Sequence, residues 1–317
     1  MKDIAPILIP TLNRHIHFKR CVESLAACTF ADKTDLYIFL DYPSKESHWD
    51  GYDLIKSYLP SIKGFKTVNV IAREKNYGVI DNFFKSVEYV LERSDRFIFS
   101  EDDNVFSPDF LDYINKGLEV YKDRKDILSI NGYQYPVTLP DSYDHDVYLF
   151  QGFSAWGYGT WKDRWGNISW DVEELKIFLN NKKKPNKLLS KNLIKGLNRI
   201  VETGYITGDT FVCYHQVRNN MYSVFPVVSH VINNGHDGSG IHGGNNKKVR
   251  KIYLNQSISD GTLKVDFPVE LKPDQSVLNS LRKQFNVSII KKAINNPDVF
   301  LKKTRNFFQR LFIPKNV

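Results

Sequence analysis

Three carboxylates in a row, Glu101-Asp102-Asp103, follow directly on the apolar run Arg96–Ser100. Adjacent carboxylates repel one another, so they need either open solvent or a cation. At a strand end a hard divalent ion, Mn²⁺ or Mg²⁺, is a sound solution. Such an ion takes one or two protein carboxylates and fills its other positions with phosphate oxygens and water. The triplet also reads as a solvated acidic turn before a helix.

Other polar residues stand at comparable places. Thr11, Leu12, Asn13 and Arg14 close the apolar run that begins at Ala5. Arg14 can meet a phosphate or cap a helix. Asp41 can accept hydrogen bonds from a base or ribose, or begin a turn with Pro43. Asn76 can touch a nucleotide or take a left-handed turn geometry before Gly78. The segment Phe153 to Trp161 mixes rings with small residues, so Trp156 can stack on a sugar face or pack in a core. Asp209, between Gly208 and Thr210, can be a general base or the N-cap of a helix Thr210–Val217. Asn233 to Gly244 sets His236, Asp237, Ser239 and His242 among five glycines. Such a loop can close over a phosphate-bearing ligand, with His236 and His242 at phosphate or metal, or can be a plain surface loop.

The elements that position these residues follow from hydrophobic periodicity. Apolar runs predict strands at 5–11, 35–40, 67–71, 96–100 and 127–131. Between them, helical spacing predicts helices at about 15–27, 49–59 and 82–91, and from Ser107 to about Lys122. Ser107 is the expected N-cap there, with Pro108 at the first helical position. Strands alternating with helices imply a mainly parallel α/β sheet covered on both faces. In such sheets ligands bind at the carboxyl ends of the strands, and Thr11–Arg14, Asp41, Asn76 and Glu101–Asp103 all follow predicted strands. Beyond 131 the sequence is rich in aromatics, with a helical stretch near 188–202 and a short strand-and-turn region at 255–280.

Composition narrows the function. The chain has 317 residues, 44 Lys plus Arg and 36 Asp plus Glu, a net charge of +8. The last 37 residues hold nine bases and one acid, Asp298, so they carry all of that excess. The body is electrically balanced, which disfavours a nucleic-acid partner. No run approaches the ~20 apolar residues that span a bilayer. Three cysteines suggest neither a disulfide framework nor a zinc site, and a reducing cytoplasm is the expected setting.

With these residues in view, the chain resembles glycosyltransferases of the GT-A fold over roughly residues 5–245. More narrowly it resembles bacterial relatives of the β-1,2-N-acetylglucosaminyltransferase I type. The most specific element is Ser100 to Phe110, SEDDNVFSPDF, similar to that family's "EDD…PDFF" metal-binding segment. The opening strand with Arg14, the Asp41 strand end, the aromatic turn at 156–161 and the HDGSG loop at 236–240 occur in matching order. The resemblance implies a GT-A type mixed, mainly parallel sheet. It implies Asp103 as direct metal ligand and Glu101 and Asp102 at the donor sugar and nucleotide. Thr11, Arg14 and Asp41 would hold the nucleotide, Asp209 would be the catalytic base, and the Gly-rich segment would order over the donor. Asn76 stands where the family would have a nucleotide-contacting His. The implied activity is metal-dependent, inverting transfer from a nucleotide-diphosphate sugar, a UDP-sugar first, to a glycan or lipid-linked saccharide in surface polysaccharide synthesis. A nucleotidyltransferase and a non-catalytic glycan-binding protein are the alternatives.

Residues 1–130 would form the nucleotide-sugar-binding half of one domain and 131–280 its acceptor-binding and catalytic half. Residues 281–317 would form a basic amphipathic helical tail. Within Asp298–Phe312, a helix would gather Phe300, Phe307, Phe308, Leu311 and Phe312 on one side and Lys302, Lys303, Arg305 and Arg310 on the other. Such a helix suits an anionic membrane surface, placing the protein peripherally on the inner face of the cell membrane. A helix docked on the body is the other reading.

Overall fold

The computed structural model describes residues 4–181, 190–235 and 256–285. Its centre is an eight-stranded sheet in the order β3-β2-β1-β4-β8-β6-β9-β7. The strands are β1 (Ile7–Thr11), β2 (Asp35–Leu40), β3 (Thr67–Ala72), β4 (Arg96–Phe99), β6 (Ile127–Asn131), β7 (Val147–Phe150), β8 (Tyr158–Trp161) and β9 (Tyr222–Pro226). Two short strands, β5 (Asn104–Phe106) and β10 (Val231–Asn233), form a separate antiparallel ribbon. Strands β1 to β4 run parallel in the main sheet, and β8 enters antiparallel between β4 and β6. This is the mixed, mainly parallel α/β sheet flanked by helices that the sequence implies.

Alternation along each strand sends side chains to two faces. Ile7 and Ile9 pack on one face with Phe18, Cys21, Val22 and Leu25 of α1 (His15–Ala26), Ile55 of α2 (Trp49–Tyr58) and Ile114 of α4 (Phe110–Val120). Leu8, Phe39 and Phe97 pack on the other with Val87 and Val90 of α3 (Gly78–Leu91). Each such Val, Leu, Ile or Phe contributes about 1.5–3 kcal/mol on burial. Two apolar faces therefore fix the sheet between helical layers and leave only its strand ends for polar chemistry.

Several expected boundaries move. Helix α3 begins at Gly78, a turn before Asn82, because Asp41 receives its first backbone N–H groups. Ser107 is not an N-cap. Its backbone N donates to His230 O at 2.9 Å and its hydroxyl to Asp109 Oδ1 at 2.6 Å, so α4 starts at Phe110 behind Asp109. The aromatic stretch after 131 holds β7 and β8, whose periodicity the rings obscured. Beyond it come α5 (Lys162–Trp165), α6 (Val172–Asn180), α7 (Lys191–Thr203) and α8 (Gly208–Asn219). At 256–280 there is one bridge, Ser229 to Ile258, and then helix α9 (Gln275–Phe285) rather than strands. Val277 and Leu281 of α9 are fully buried with Tyr148 and Phe225, so this helix is fastened to the body through Leu281. The tail beyond Phe285 lies outside the described residues. Among the described residues no helix is long and apolar enough to cross a membrane.

Candidate functional site

The acidic triplet and the first strand end meet because of sheet register. Leu8 is paired with Phe99, so the chains run on together until Thr11 Oγ1 donates to Asp102 Oδ2 at 2.8 Å. Arg14, at the mouth of α1, turns back over the same carboxylates. Its Nη2 donates to Asp102 Oδ1 and, at 2.7 Å, to Asp103 Oδ2. Burial alone would lower the Arg14 pKa, but the charges and hydrogen bonds of the two aspartates outweigh it and the net shift is upward. Burial likewise pushes Asp102 up, against the opposing pull of Arg14.

A segment distant in sequence closes the other side. Asn233, at the end of β10, donates from Nδ2 to Asp103 Oδ1 at 2.6 Å and to Asn104 Oδ1 at 3.1 Å. Its own Oδ1 accepts from Gly235 N at 2.9 Å, and Asn234 N donates to Asp103 O at 2.9 Å. Gly235 admits no side chain, since a Cβ there would lie 1.9 Å from Asp103 Oδ2.

Asp209 lies in the first turn of α8, inside the helix and not at its cap, which is Thr207. Its charge bears on Glu101, whose pKa is pushed well above the ordinary range by burial first and then by Asp103, Asp209 and Asp102. Crowding by the surrounding protein raises Asp209 to about 6, although solvent still reaches this side chain and tempers the rise. Tyr158 on β8 feels both Asp209 and Glu101. Burial first, then those two charges, raises its pKa well above normal, and its hydroxyl has no partner among the described residues.

Three carboxylates, Glu101, Asp102 and Asp103, thus crowd one another at the β4 exit, and the charge of Asp209 reaches Glu101 from α8. Among the described residues the cation paired with them is Arg14. Buried negative charge in excess of positive is the condition a divalent cation relieves. Among the described residues no group of three His, Cys, Asp or Glu forms a ligand set. One or two carboxylates is the number that an ion shared with phosphate oxygens and water would take. Each carboxylate oxygen of Asp103 keeps lone-pair capacity beyond its bond to Arg14 or Asn233.

Asp41 and Asn76 form a second, adjoining cluster. Asp41 Oδ1 accepts from Tyr42 N at 2.9 Å and Tyr77 N at 2.8 Å, and Oδ2 from Gly78 N at 2.9 Å and Asn76 Nδ2 at 3.2 Å. Asp41 is 4% exposed, so it pins the β2 exit to the start of α3, and exposed Asn76 is the member of the pair that reaches solvent. Trp156 is half-buried, its ring edge-on to Tyr133 with centroids 4.6 Å apart. His236, Ser239 and His242 lie outside the described residues. Sequence reasoning places Asn233 and Gly235 only in the Gly-rich segment over the donor and Tyr158 only in the aromatic stretch, with no contact to the acidic triplet. The signal available for the first two was the Asn-Asn-Gly that heads the Gly-rich segment.

No protein-family model and no curated protein matches the chain. Among solved structures, a mannosyltransferase, PcManGT from Pyrobaculum calidifontis in complex with GDP-Man and Mn²⁺, matches at 10% identity and a TM-score of 0.37, over 55% of this chain and 52% of that one. S. aureus TarS residues 1–349 match at 12% identity and a TM-score of 0.39, over 72% of this chain and 60% of that one. A longer S. aureus TarS structure matches at 14% identity and a TM-score of 0.31, over 46% of this chain and 25% of that one. The chain thus spans between a quarter and three fifths of the length of these structures. At such scores the likeness is a partial agreement of chain trace and carries nothing about activity.

Proposed function

We propose that the chain is a metal-dependent glycosyltransferase that uses a nucleotide-diphosphate sugar, with a UDP-sugar as first candidate donor. The observation that carries this reading is the convergence of Glu101, Asp102 and Asp103 with Arg14 at the β1 and β4 strand ends, with the charge of Asp209 reaching Glu101 from α8. Asp103 would hold the metal ion together with donor phosphates. When bound, that ion would neutralise the charge developing on the diphosphate leaving group.

The chain's own residues account for the rest. Arg14 holds Asp102 and Asp103 in place and offers positive charge to a phosphate. Thr11 and Asn233 fix the orientation of the same carboxylates, so the site is preorganised by hydrogen bonds that need no ligand. Asn76 and the Asp41-pinned turn form the adjoining edge for base or ribose. Asp209, with its carboxyl lifted toward neutrality, takes the proton of the acceptor hydroxyl, matching the pKa range in which a carboxylate base works well near neutral pH. Attack by that oxygen on the anomeric carbon, opposite the diphosphate, inverts the configuration. Trp156 offers a ring for a sugar face. The acceptor is a glycan or lipid-linked saccharide, and the basic C-terminal segment places the protein at an anionic membrane surface. His236, Ser239 and His242 belong to the loop proposed to cover the donor.

The test is a panel of UDP-, GDP- and dTDP-sugars with Mn²⁺ or Mg²⁺, read by thermal shift and by release of nucleoside diphosphate. At least one donor should stabilise the chain in a metal-dependent way and be turned over. Metal-independent binding with no release would overturn the enzymatic reading.

A further inference from the structure

The chain carries 5 Trp, 17 Tyr and 21 Phe, and the fold turns these rings inward. Among the side chains described, Tyr205 is the one aromatic that stays exposed, at 44%. Its ring packs on no other ring and its hydroxyl has no hydrogen-bond partner among the described residues. A chain that buries its aromatics so thoroughly leaves this one facing water.

The backbone beneath the ring is held. Gly204 closes α7 in the left-handed region, at φ 68°, with its N donating to Ile200 O at 2.8 Å. Tyr205 N donates to Thr203 Oγ1 at 3.2 Å. Ile206, the next residue, packs against the cluster of Leu197, Ile200 and Phe211 that joins α7 to α8. An aromatic on a fixed backbone loses little freedom on binding, because Tyr has only two side-chain torsions to order.

Tyr205 stands four residues before Asp209. Four residues span at most about 14 Å even when fully extended. The last two of them already belong to α8, so Tyr205 is anchored closer than that to the proposed base. The ground beside both is open. A Cβ added at Gly204 or at Gly208 would meet nothing within 4 Å, and solvent reaches the Asp209 side chain. Trp156, by contrast, is half-buried with its ring against Tyr133.

We infer that Tyr205 is the platform for the acceptor, its ring packing on a pyranose unit whose reacting hydroxyl, or that of a neighbouring unit, lies at Asp209. The inference rests on the glycosyltransferase reading and adds to it the place and chemical class of the acceptor. A pyranose with equatorial substituents has a face of C–H bonds that packs on an aromatic ring, while its hydroxyls stay hydrated. An open-chain polyol phosphate has no such face. The acceptor is therefore a ring-form saccharide, not a polyol phosphate chain.

Saturation-transfer NMR on the full chain, with and without UDP and Mn²⁺, tests this. Cellobiose, lactose and chitobiose serve as pyranose probes and ribitol 5-phosphate as the open-chain probe. At least one disaccharide should bind saturably. Tyr205→Ala should weaken that binding roughly fivefold, the loss of one aromatic contact. Tyr205→Phe, which keeps the ring, should bind nearly as tightly as the unmodified chain. The thermal shift produced by UDP with Mn²⁺ should be the same in Tyr205→Ala, which separates the acceptor surface from the donor site. The inference is overturned if Tyr205→Ala binds the disaccharides as tightly as the unmodified chain, or if Tyr205→Phe loses as much as Tyr205→Ala. It is also overturned if ribitol 5-phosphate binds and no disaccharide does. Donor turnover without binding of any disaccharide overturns this inference alone. Failure of every nucleotide-sugar to bind overturns the glycosyltransferase reading itself, and this inference with it.

Discussion

Gly235 passes so close to Asp103 that the backbone itself walls the carboxylate, with room for a hydrogen but not for a Cβ, which would sit 1.9 Å from Oδ2. Together with Asn233 this contact ties the β10 ribbon to the acidic turn. The residue proposed to hold the metal is therefore positioned by a segment far away in the chain.

Gly235→Ala should move either the ribbon or Asp103. A loss of about 1–3 kcal/mol in stability is expected from the overpacking, with loss of metal-dependent donor binding. Denaturation and thermal shift with Mn²⁺ read both. An unchanged response to Mn²⁺ would separate Gly235 from the site.

Asp209→Asn should leave stability near that of the unmodified chain and lower kcat about 10²–10⁴-fold, as removal of a general base does. The base works deprotonated. Activity of the unmodified chain should therefore be full above a pKa of about 6 and fall as pH drops through it. A pH–rate profile that is flat from 5 to 8 would argue against Asp209 as the base.

Chelation with EDTA should stop turnover, and Mn²⁺ should restore it. Asp103→Ala should abolish the restoration, and Asn233→Ala should weaken it by about tenfold, since Asn233 fixes Asp103 through a bond worth about 1.5 kcal/mol to a charged group.

Asp109 anchors a buried knot beneath the same ribbon. Oδ1 accepts from Ser107 Oγ at 2.6 Å and lies 3.0 Å from His230 Nδ1, and Oδ2 accepts from Ser259 Oγ at 2.6 Å. Burial alone would raise its pKa, but these hydrogen bonds outweigh it and hold it below the usual carboxylate range. Its stabilisation is thus complete above the unfolded value of about 3.9 and lost as pH falls below that. Asp109→Asn should cost about 1–3 kcal/mol at neutral pH and flatten the acid limb of stability against pH. Urea unfolding at a series of pH values measures it.

Truncation after Phe285 keeps α9 and its buried Leu281. The shortened protein should unfold at nearly the same temperature, retain donor hydrolysis and leave the membrane fraction. Unchanged fractionation would remove the proposed membrane role of the segment.

The strand exits were legible because periodicity is local. Asp35–Leu40 and Ile127–Asn131 appear at their predicted bounds, since a short apolar run between polar turns can bury itself only one way. The strands among the aromatics, β7 and β8, were not legible. Their rings are buried on both faces, so no alternation marks them. Ser107 misled for a different reason: a serine before Pro108 has the chemistry of a cap, but here its hydroxyl is spent on Asp109 and His230.

What the sequence determined by itself is the set of chemical groups at the ends of the first four strands and the parallel α/β sheet that gathers them. Both follow from patterns spanning a few residues. The tertiary structure alone decided the partners. Asn233 reaches Asp103 across 130 residues, and Gly235 seals the same carboxylate. Such meetings depend on strand register and helix packing, in which a shift of one residue turns each side chain to the other face, and no local pattern records them.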